Sequence, residues 1–281
     1  MKKQGNKKEF LDFREKVRKI LDDIGQDNLY YDESEFWMIR HEYEYIQFYA
    51  MENQLLNTCI ALPLSRGLHN GSHRKSSVTR EGVSYRLPYV IHCLLVCRML
   101  LDLNIPLEKD QLDIVLASAL CHDMIEDIPF EQDGLEMMTY FHLDPKVYET
   151  VKFVSKRRDF TPEEEENHFR QIAEHPLALL VKLSDRGNNV EDLYNMSVWK
   201  THEYVGETRK FFFPMYDYGI AHYPELHKTL EVLQDKILSL TRVAEILVNR
   251  YEEMEKELLT QIRAEQKENE KLHEKWLALK A

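Results

Sequence analysis

The sequence of 281 residues predicts an all-α fold. Apolar side chains recur at intervals of three and four residues through most of the chain, which is the pattern of helices with one buried face. Proline residues interrupt the periodic segments, as expected at helix boundaries. The sequence shows neither the alternating pattern of a β-strand nor a glycine-rich phosphate loop, so no sheet is expected.

The composition limits the cellular compartment and the kinds of binding partner that we expect for this protein. The chain has 37 Lys and Arg against 49 Asp and Glu, a formal net charge of −12. Such a charge disfavours binding to nucleic acid or to a membrane, but one basic pocket would suffice for a small phosphorylated nucleotide. No apolar run is long enough for a membrane span or a signal core, so we expect a cytoplasmic protein. The cysteines lack zinc or disulfide spacing and are predicted core residues: Cys59, Cys93, Cys97 and Cys121.

The first third of the chain predicts two helices and a loop. Helical spacing covers residues 8–21 and 34–62, the latter ending ahead of Pro63. We expect residues 1–60 to pack as N-terminal helices on the core. The stretch 66–86 is rich in Gly and Ser, which predicts a loop. It is also locally basic, so it is a candidate for contacts with phosphate or base, and a solvated mobile loop is the alternative.

The next two predicted helices carry candidate ligands. Pro88 is predicted to open the first of them, at a position where its missing N–H costs least. His92 lies on this helix among apolar residues, where a single histidine is more often a core residue. The second helix is predicted to begin near Glu108 and to stop before Pro129.

A polar cluster lies near the end of that second helix. His122 and Glu126 are four residues apart, and so are Asp123 and Asp127. Each pair would stack on neighbouring turns of a helix. Three carboxylates close together repel one another, so a bound cation is the expected way to hold them. The alternative is a solvated acidic helix end.

Three further helix starts are predicted in the second half of the chain. Asp144–Pro145 and His175–Pro176 are start signals, and Thr161–Glu164 has the pattern of a capping box. Asp185 follows the apolar run of the helix that is predicted to start at His175–Pro176. An aspartate after so apolar a run is another candidate ligand.

A heptad pattern follows in the C-terminal part. Apolar residues from Leu226 to Leu258 alternate steps of four and three residues. We therefore expect residues 226–281 to form a long, coiled-coil-like helix. This apolar seam could fold back on the domain or pair with another chain in a homo-oligomer, and the sequence leaves both alternatives open.

The spacing of the candidate ligands resembles that of the HD-domain metal-dependent phosphohydrolases. The finer resemblance is to the hydrolase domain of RelA/SpoT homologues, including the small alarmone hydrolases, and it covers about residues 60–225. It implies an HD-domain helical bundle over residues 61–225. The segments that carry the resemblance are Pro88–His92, His122–Asp127, Val181–Asn189, Glu207–Thr208 and Pro214–Gly219.

The resemblance implies a metal centre and an activity. The implied metal ligands are His92, His122, Asp123 and Asp185, and the implied catalytic residues are Glu126 and Asp127. Imidazole and carboxylate ligands without a thiolate favour Mn²⁺, with Fe²⁺ or Mg²⁺ as alternatives. The implied reaction removes the 3′-diphosphate of guanosine tetra- or pentaphosphate and releases pyrophosphate and GDP or GTP. The alternatives are an HD phosphohydrolase for another nucleotide and a non-enzymatic nucleotide sensor.

The resemblance also implies substrate-binding residues. Arg74 and Lys75 lie in a segment similar to the one that holds the guanine nucleotide in the family. Here an insertion over residues 77–86 separates them from His92. Further candidates are Lys182 and Arg186, with surface solvation as the alternative, and Asn189, with a helix cap as the alternative.

Overall fold

The computed structural model describes residues 7–24, 33–127, 142–157, 159–193 and 196–280. These residues are mostly helical, in agreement with the predicted all-α class. The helices in chain order are α1 Lys7–Ile24, α2 Phe36–Asn53, α3 Leu56–Leu68, α4 Val90–Asp102, α5 Lys109–Cys121, α6 Met124–Asp127, α7 Pro145–Val154, α8 Pro162–Ala173, α9 Pro176–Glu191, α10 Val198–Glu207, α11 Phe213–His222 and α12 His227–Lys280.

Short irregular turns complete the helical part. Single turns of 3₁₀-helix lie at Glu33–Glu35 and Pro224–Leu226, and a π-helical turn at Thr208–Phe212 joins α10 to α11. Gly219 on α11 lies where other helices approach closely. A Cβ there would come within 2.7 Å of Leu179 and 2.9 Å of Leu230. The glycine therefore permits the close packing of α11 against α9 and α12.

The three helix starts predicted in the second half are confirmed. The side chain of Asp144 accepts the N–H of Lys146 at 2.9 Å and caps α7. Thr161 and Glu164 form the predicted capping box of α8. These local signals succeed because capping involves only residues within one turn of each other.

Two predicted helix boundaries are wrong. The helix predicted over residues 34–62 is broken by Gln54, which has a left-handed backbone conformation with φ of 55°. Pro63 lies inside α3, among buried apolar neighbours whose packing offsets the lost backbone hydrogen bond. Similarly, α5 ends at Cys121, and His122 and Asp123 lie in a turn before α6.

The loop predicted over residues 66–86 is also wrong, because α3 extends to Leu68 and a β-hairpin follows it. Strands β1 His73–Arg80 and β2 Val83–Pro88 form an antiparallel two-stranded sheet, in which Val78 is opposite Tyr85. Pro88 therefore ends β2, and α4 starts at Val90. Glu81 and Gly82 form the turn with φ of 53° and 80°. Positive φ at both positions fits the right-handed twist of a hairpin, and the glycine makes it accessible.

The hairpin is anchored to α2 by aromatic contacts. Trp37 and Tyr85 pack edge to face with ring centroids 5.5 Å apart, and the guanidinium of Arg80 lies 5.0 Å from the Trp37 ring. Residues 77–86, which the resemblance treats as an insertion, therefore form the end of β1, the turn and most of β2, and this hairpin is held against the helical body.

Helix α5 is at the centre of the core. Residues 115–121 are fully buried, and the helix packs against α3, α4, α7 and α9. A helix buried on all sides is expected to be apolar on all sides, and Ser118 is the one polar residue of this segment. All four cysteines are free and buried, which confirms their predicted role in the core.

Asp113 joins α5 to the start of α3. Its carboxylate accepts the backbone N–H of Asn57 at 2.9 Å and that of Thr58 at 2.8 Å, as well as the Thr58 hydroxyl at 2.8 Å. Leu55 precedes α3 and offers no side-chain cap. A carboxylate from another helix therefore satisfies the orphan donors of this terminus.

We expect Asp113→Ala to lower the free energy of unfolding by about 2–4 kcal/mol, because it leaves several buried donors without an acceptor. Urea denaturation followed by circular dichroism measures this change. Asp110→Ala, at an exposed position of the same helix, is the matched control. If Asp113→Ala changed the free energy of unfolding by less than about 0.5 kcal/mol, the usual range for surface substitutions, the assigned role of Asp113 would be contradicted.

The heptad seam divides within α12. Leu230, Leu233, Ile237 and Ala244 are buried against the domain. Beyond Val248 the helix is almost entirely exposed. In the described part of the chain, no helix is long and apolar enough to cross a membrane.

Candidate metal centre

Three core helices bring the four predicted metal ligands to one point. His92 lies on α4, His122 and Asp123 follow α5, and Asp185 lies on α9. These helices pack against one another, so residues distant in sequence meet. His92, His122 and Asp185 are buried.

The ligand atoms converge closely. His92 Nε2 lies 3.2 Å from both His122 Nε2 and Asp185 Oδ1. Asp123 Oδ2 lies 3.1 Å from His122 Nε2 and 3.5 Å from His92 Nε2. The separation between His122 Nε2 and Asp185 Oδ1 is 3.7 Å.

These separations fit the ligand set of one cation. An ion about 2.1 Å from each ligand would leave neighbouring ligand atoms about 3.0 Å apart in an octahedron and about 3.4 Å apart in a tetrahedron. The five separations of 3.1–3.7 Å span the tetrahedral value and begin just above the octahedral one. Two imidazoles and two carboxylates are also a donor set that divalent metals accept.

The far side of each imidazole is held by an acceptor. His92 Nδ1 donates to Asn188 Oδ1 at 2.6 Å, and His122 Nδ1 donates to the carbonyl of Ala119 at 2.8 Å. Nε2 of each ring is then the atom that faces the centre. Burial alone lowers the pKa of His122, but Asp123 and Asp185 outweigh it and hold that pKa well above its usual value, so a cation that binds through Nε2 would displace a proton from this ring. Both rings are therefore oriented for metal binding through Nε2.

The two carboxylates are held by donors. The Tyr89 hydroxyl donates to Asp123 Oδ2 at 2.8 Å, and the Asn189 amide donates to Asp185 Oδ1 at 2.6 Å. The ammonium of Lys182 lies 3.3 Å from Asp185 Oδ2. Burial alone raises the pKa of Asp185, but Lys182 and the two histidines outweigh it and hold that pKa well below its usual value. Asp185 is therefore ionised and ready to bind a cation.

We expect Tyr89→Phe to weaken Mn²⁺ binding about 10-fold, because it removes the hydrogen bond that orients Asp123 and leaves the ring in place. Calorimetric titration of the metal-stripped protein measures the affinity. Tyr45→Phe, at an exposed position of α2, is the control. Unchanged affinity in Tyr89→Phe would show that this hydrogen bond does not orient the ligand.

The first predicted catalytic residue, Glu126, lies on α6 beside the ligands. Its Oε1 accepts the backbone N–H of Lys156 at 2.5 Å. Burial raises the pKa of Glu126, and the charge of Lys182 partly offsets the increase. A fixed carboxylate with a raised pKa is a suitable general base. The second predicted catalytic residue is Asp127, whose side chain lies outside the described residues.

The predicted substrate-binding residues occupy different environments. Arg74 Nη2 bonds to Asp192 Oδ2 at 2.7 Å and lies 3.5 Å from Asn189 Oδ1. The side chain of Lys75 lies outside the described residues. Arg186 is buried, pairs with Glu207 and has its guanidinium 4.0 Å from the Phe212 ring centroid.

Surface solvation therefore does not describe Lys182 or Arg186. The Lys182 side chain is only 14% exposed and lies against Asp185. Asn189 lies within α9 and links Asp185 to Arg74, so a helix cap does not describe it either. Lys182, Asn189 and Arg74 lie near the predicted metal ligands. Arg186 instead forms an ion pair with Glu207.

Sequence reasoning assigned no role to several residues that support the site. Tyr89 and Asn188 lie within the segments that carry the resemblance but have no assigned role there, and Asp192 lies outside those segments. The role of Asn188 is not visible in the sequence, because its partner His92 lies on another helix, 96 residues away. Asp192, one residue beyond α9, could have been found as a counter-charge for Arg74 only with the fold known.

A thiol also lies near the centre. Cys93 Sγ is grouped with ligand atoms of His122 and Asp123, all within 4.8 Å of one another. Burial raises the pKa of Cys93 well above its usual value, so this sulfur remains a thiol in the metal-free protein. Cys93, His122 and Asp123 therefore form a second group of side chains that could hold a metal ion, and this group shares His122 with the first.

Several curated proteins are similar to part of this chain. No family model matches the chain. The bifunctional (p)ppGpp synthase/hydrolase SpoT of Escherichia coli K12 is 28% identical over 186 residues, which are 63% of this chain and 24% of that protein. The guanosine-3′,5′-bis(diphosphate) 3′-pyrophosphohydrolase of Vibrio cholerae is 27% identical over 197 residues, covering 67% of this chain and 24% of the relative.

A third relative extends the range of organisms. The guanosine-3′,5′-bis(diphosphate) 3′-pyrophosphohydrolase of Aquifex aeolicus is 30% identical over 131 residues, 46% of this chain and 18% of that protein. The chain spans about a quarter of the length of the first curated relatives that it matches. This chain is therefore similar over part of its length to proteins named as (p)ppGpp hydrolases, and it has a buried cluster that could hold a metal ion.

Proposed function

We propose that the protein is a metal-dependent hydrolase that removes the 3′-diphosphate of guanosine tetra- or pentaphosphate. The observation that carries the proposal is the convergence of four side chains beside the fixed carboxylate of Glu126: His92 and His122 lie 3.2 Å apart through Nε2, and Asp123 and Asp185 each lie 3.1–3.7 Å from both of these atoms. The names of the relatives supply the substrate class. Pyrophosphate and GDP or GTP are the expected products.

The ligand set suits a hard or borderline divalent cation, and Mn²⁺ is the metal that we propose. When bound, such a cation polarises a phosphoryl oxygen and lowers the pKa of water. The protein's own contribution is to fix the four ligands through Asn188, the Ala119 carbonyl, Tyr89 and Asn189.

Glu126 is the proposed general base. Its carboxylate is held through one oxygen by the Lys156 N–H, at 2.5 Å, and can take a proton from the attacking water. The water attacks the phosphorus next to the ribose 3′ oxygen, and the bond between that phosphorus and the 3′ oxygen breaks. Pyrophosphate gains the oxygen of the water, and the 3′ oxygen gains a proton.

Buried cations offset the charge of the diphosphate in this proposal. Burial alone lowers the pKa of Lys182, but Asp185 and Glu126 outweigh it, so the pKa is raised and the side chain stays protonated. The Arg74 side chain is 10% exposed and is oriented by its ion pair with Asp192. Two fixed cations near the ligands favour a phosphorylated substrate over a neutral one.

A second candidate is a phosphohydrolase for another nucleotide, and the β-hairpin favours it. Arg74 lies on β1, so the hairpin changes the setting of the residue proposed to hold the base. The two candidates share the metal centre and differ only in the nucleotide that enters it.

A panel of nucleotides tests the proposal and separates the candidates. The protein with Mn²⁺ is incubated with guanosine tetraphosphate, its adenosine counterpart, GTP and a nucleoside monophosphate, and phosphate and pyrophosphate are measured separately. Pyrophosphate release from guanosine tetraphosphate alone supports the first candidate. Preferred turnover of another nucleotide supports the second, and binding without turnover supports the nucleotide sensor.

A further inference from the structure

We infer that residues 249–280 of α12 pair antiparallel with the same segment of a second copy of this chain. The first half of α12 is covered by the domain, with Leu230, Leu233 and Ile237 at most 1% exposed. The second half is a straight continuation of the same helix with almost no cover. Its length is about 48 Å at 1.5 Å per residue.

The uncovered half carries large apolar side chains. Trp276 is 50% exposed and Leu279 is 88% exposed, and the others range between these or a little lower. An apolar surface of this size on a described helix marks an interaction site. The exposed residues of the stripe are Tyr251, Met254, Leu258, Ile262, Leu272, Trp276 and Leu279.

These side chains lie on one face of the helix. From residue 251, positions 254, 258 and 262 follow at steps of three, four and four. From residue 262, positions 265, 269, 272, 276 and 279 follow at steps of three, four, three, four and three. Steps of three and four sustained over about four heptads are typical of a coiled coil. Glu265 and Asn269 interrupt the apolar stripe near its middle.

The stripe is self-complementary in the antiparallel direction. With a two-fold axis at residue 265, Tyr251 meets Leu279, Met254 meets Trp276 and Leu258 meets Leu272 of the second copy. Each of these apolar layers therefore joins two different residues, one from each copy. A two-fold axis of this kind closes the assembly at two chains.

Charge favours the antiparallel over the parallel arrangement. Residues 250–259 contain four Glu against Arg250 and Lys256, a net charge of −2. Residues 271–280 contain three Lys against Glu274, a net charge of +2. Antiparallel pairing places these segments opposite each other, whereas parallel pairing would bring like charges together.

The geometry of the chain and its charge also disfavour other occupants. Antiparallel pairing puts the two hydrolase bodies at opposite ends of the paired helices, where they do not collide. A membrane surface is a poorer partner, because residues 250–280 contain seven Lys and Arg against eight Glu and lack the basic face of a membrane-bound helix.

Sedimentation and disulfide cross-linking of the full chain test the inference. We expect twice the chain mass of 33.6 kDa at micromolar concentration. Leu258→Cys and Leu272→Cys variants, oxidised as a mixture, should form a disulfide between unlike chains and far less between like chains. The native cysteines are buried and give little background. Thr260→Cys, on the opposite face of the helix, is the matched control and should remain uncrosslinked.

Other outcomes would overturn the inference. A mass of one chain at tens of micromolar would exclude self-pairing, and cross-linking of Leu258→Cys with itself would show parallel pairing. Binding to anionic vesicles by a monomeric chain would assign the face to a membrane. As a second readout, Leu258→Glu with Leu272→Glu should raise the dissociation constant at least 100-fold while pyrophosphohydrolysis, if present, persists.

Discussion

Replacing Asp185 with alanine should abolish metal binding and, with it, hydrolysis of guanosine tetraphosphate. Asp185 Oδ1 lies 3.2 Å from His92 Nε2 and 3.7 Å from His122 Nε2, so its removal opens one side of the ligand set. It also leaves the buried ammonium of Lys182 without its nearest carboxylate. We expect the affinity for Mn²⁺ to fall by 100-fold or more, on the order of the largest losses seen when supporting residues of metal sites are removed.

The measurement is calorimetric Mn²⁺ titration together with pyrophosphate release. Asp102→Ala removes an aspartate of the same charge at a position where the side chain is 55% exposed and pairs with Arg98. This control should bind metal and turn over substrate as the wild type does. Full metal affinity in Asp185→Ala would contradict the assigned ligand set.

Glu126→Gln should lower kcat by about 10²–10⁴-fold and leave Mn²⁺ binding nearly unchanged. The amide can still accept the Lys156 N–H that holds Glu126 in place, but it cannot take a proton from water. This separation of turnover from metal affinity distinguishes a general base from a metal ligand. Glu149→Gln, on the exposed face of α7, is the control.

The pH profile gives a second test of the same assignment. Burial raises the pKa of Glu126, so its basic form prevails only above that raised value. Activity of the wild type should therefore fall as the pH decreases through this pKa, and should begin to fall at a higher pH than an unshifted glutamate would allow. A residual activity of Glu126→Gln with the same acidic limb would assign that limb to another group.

Local signals in the sequence were sufficient for part of the fold. The caps at Asp144 and Thr161 were predictable because each depends on residues within one turn. The hairpin was not predicted, because Ser and Gly residues suggested a loop and the turn has Glu81 where asparagine or aspartate is more usual. Its stability depends partly on Trp37, a contact that no local pattern reveals.

The proposed ligand set comes from candidate residues in the sequence and from the resemblance to a known motif, whereas the contacts that support these residues could not be predicted. His122 and Asp123 are adjacent in the sequence, and resemblance to a known motif connected them with His92 and Asp185. The contacts of Tyr89 with Asp123 and of Asn188 with His92 span 34 and 96 residues. Such contacts follow from helix packing, so they become visible only once the helices are placed.

The heptad pattern predicted the long helix, but it did not predict which surface covers each half of that helix. The same spacing continues from Leu233, which is 1% exposed, to Leu258, which is 57% exposed. Periodicity identifies the face of a helix that prefers burial and does not say what covers it. The domain covers the first half, which confirms one of the two alternatives for that part.

The most direct test of the central claim is incubation of metal-stripped protein with guanosine tetraphosphate, with and without Mn²⁺, followed by anion-exchange analysis. The proposed site predicts GDP and pyrophosphate only when metal is present, and neither product in Asp185→Ala. Equal product formation without metal, or intact substrate in the Mn²⁺-loaded wild-type protein, would contradict the proposed function.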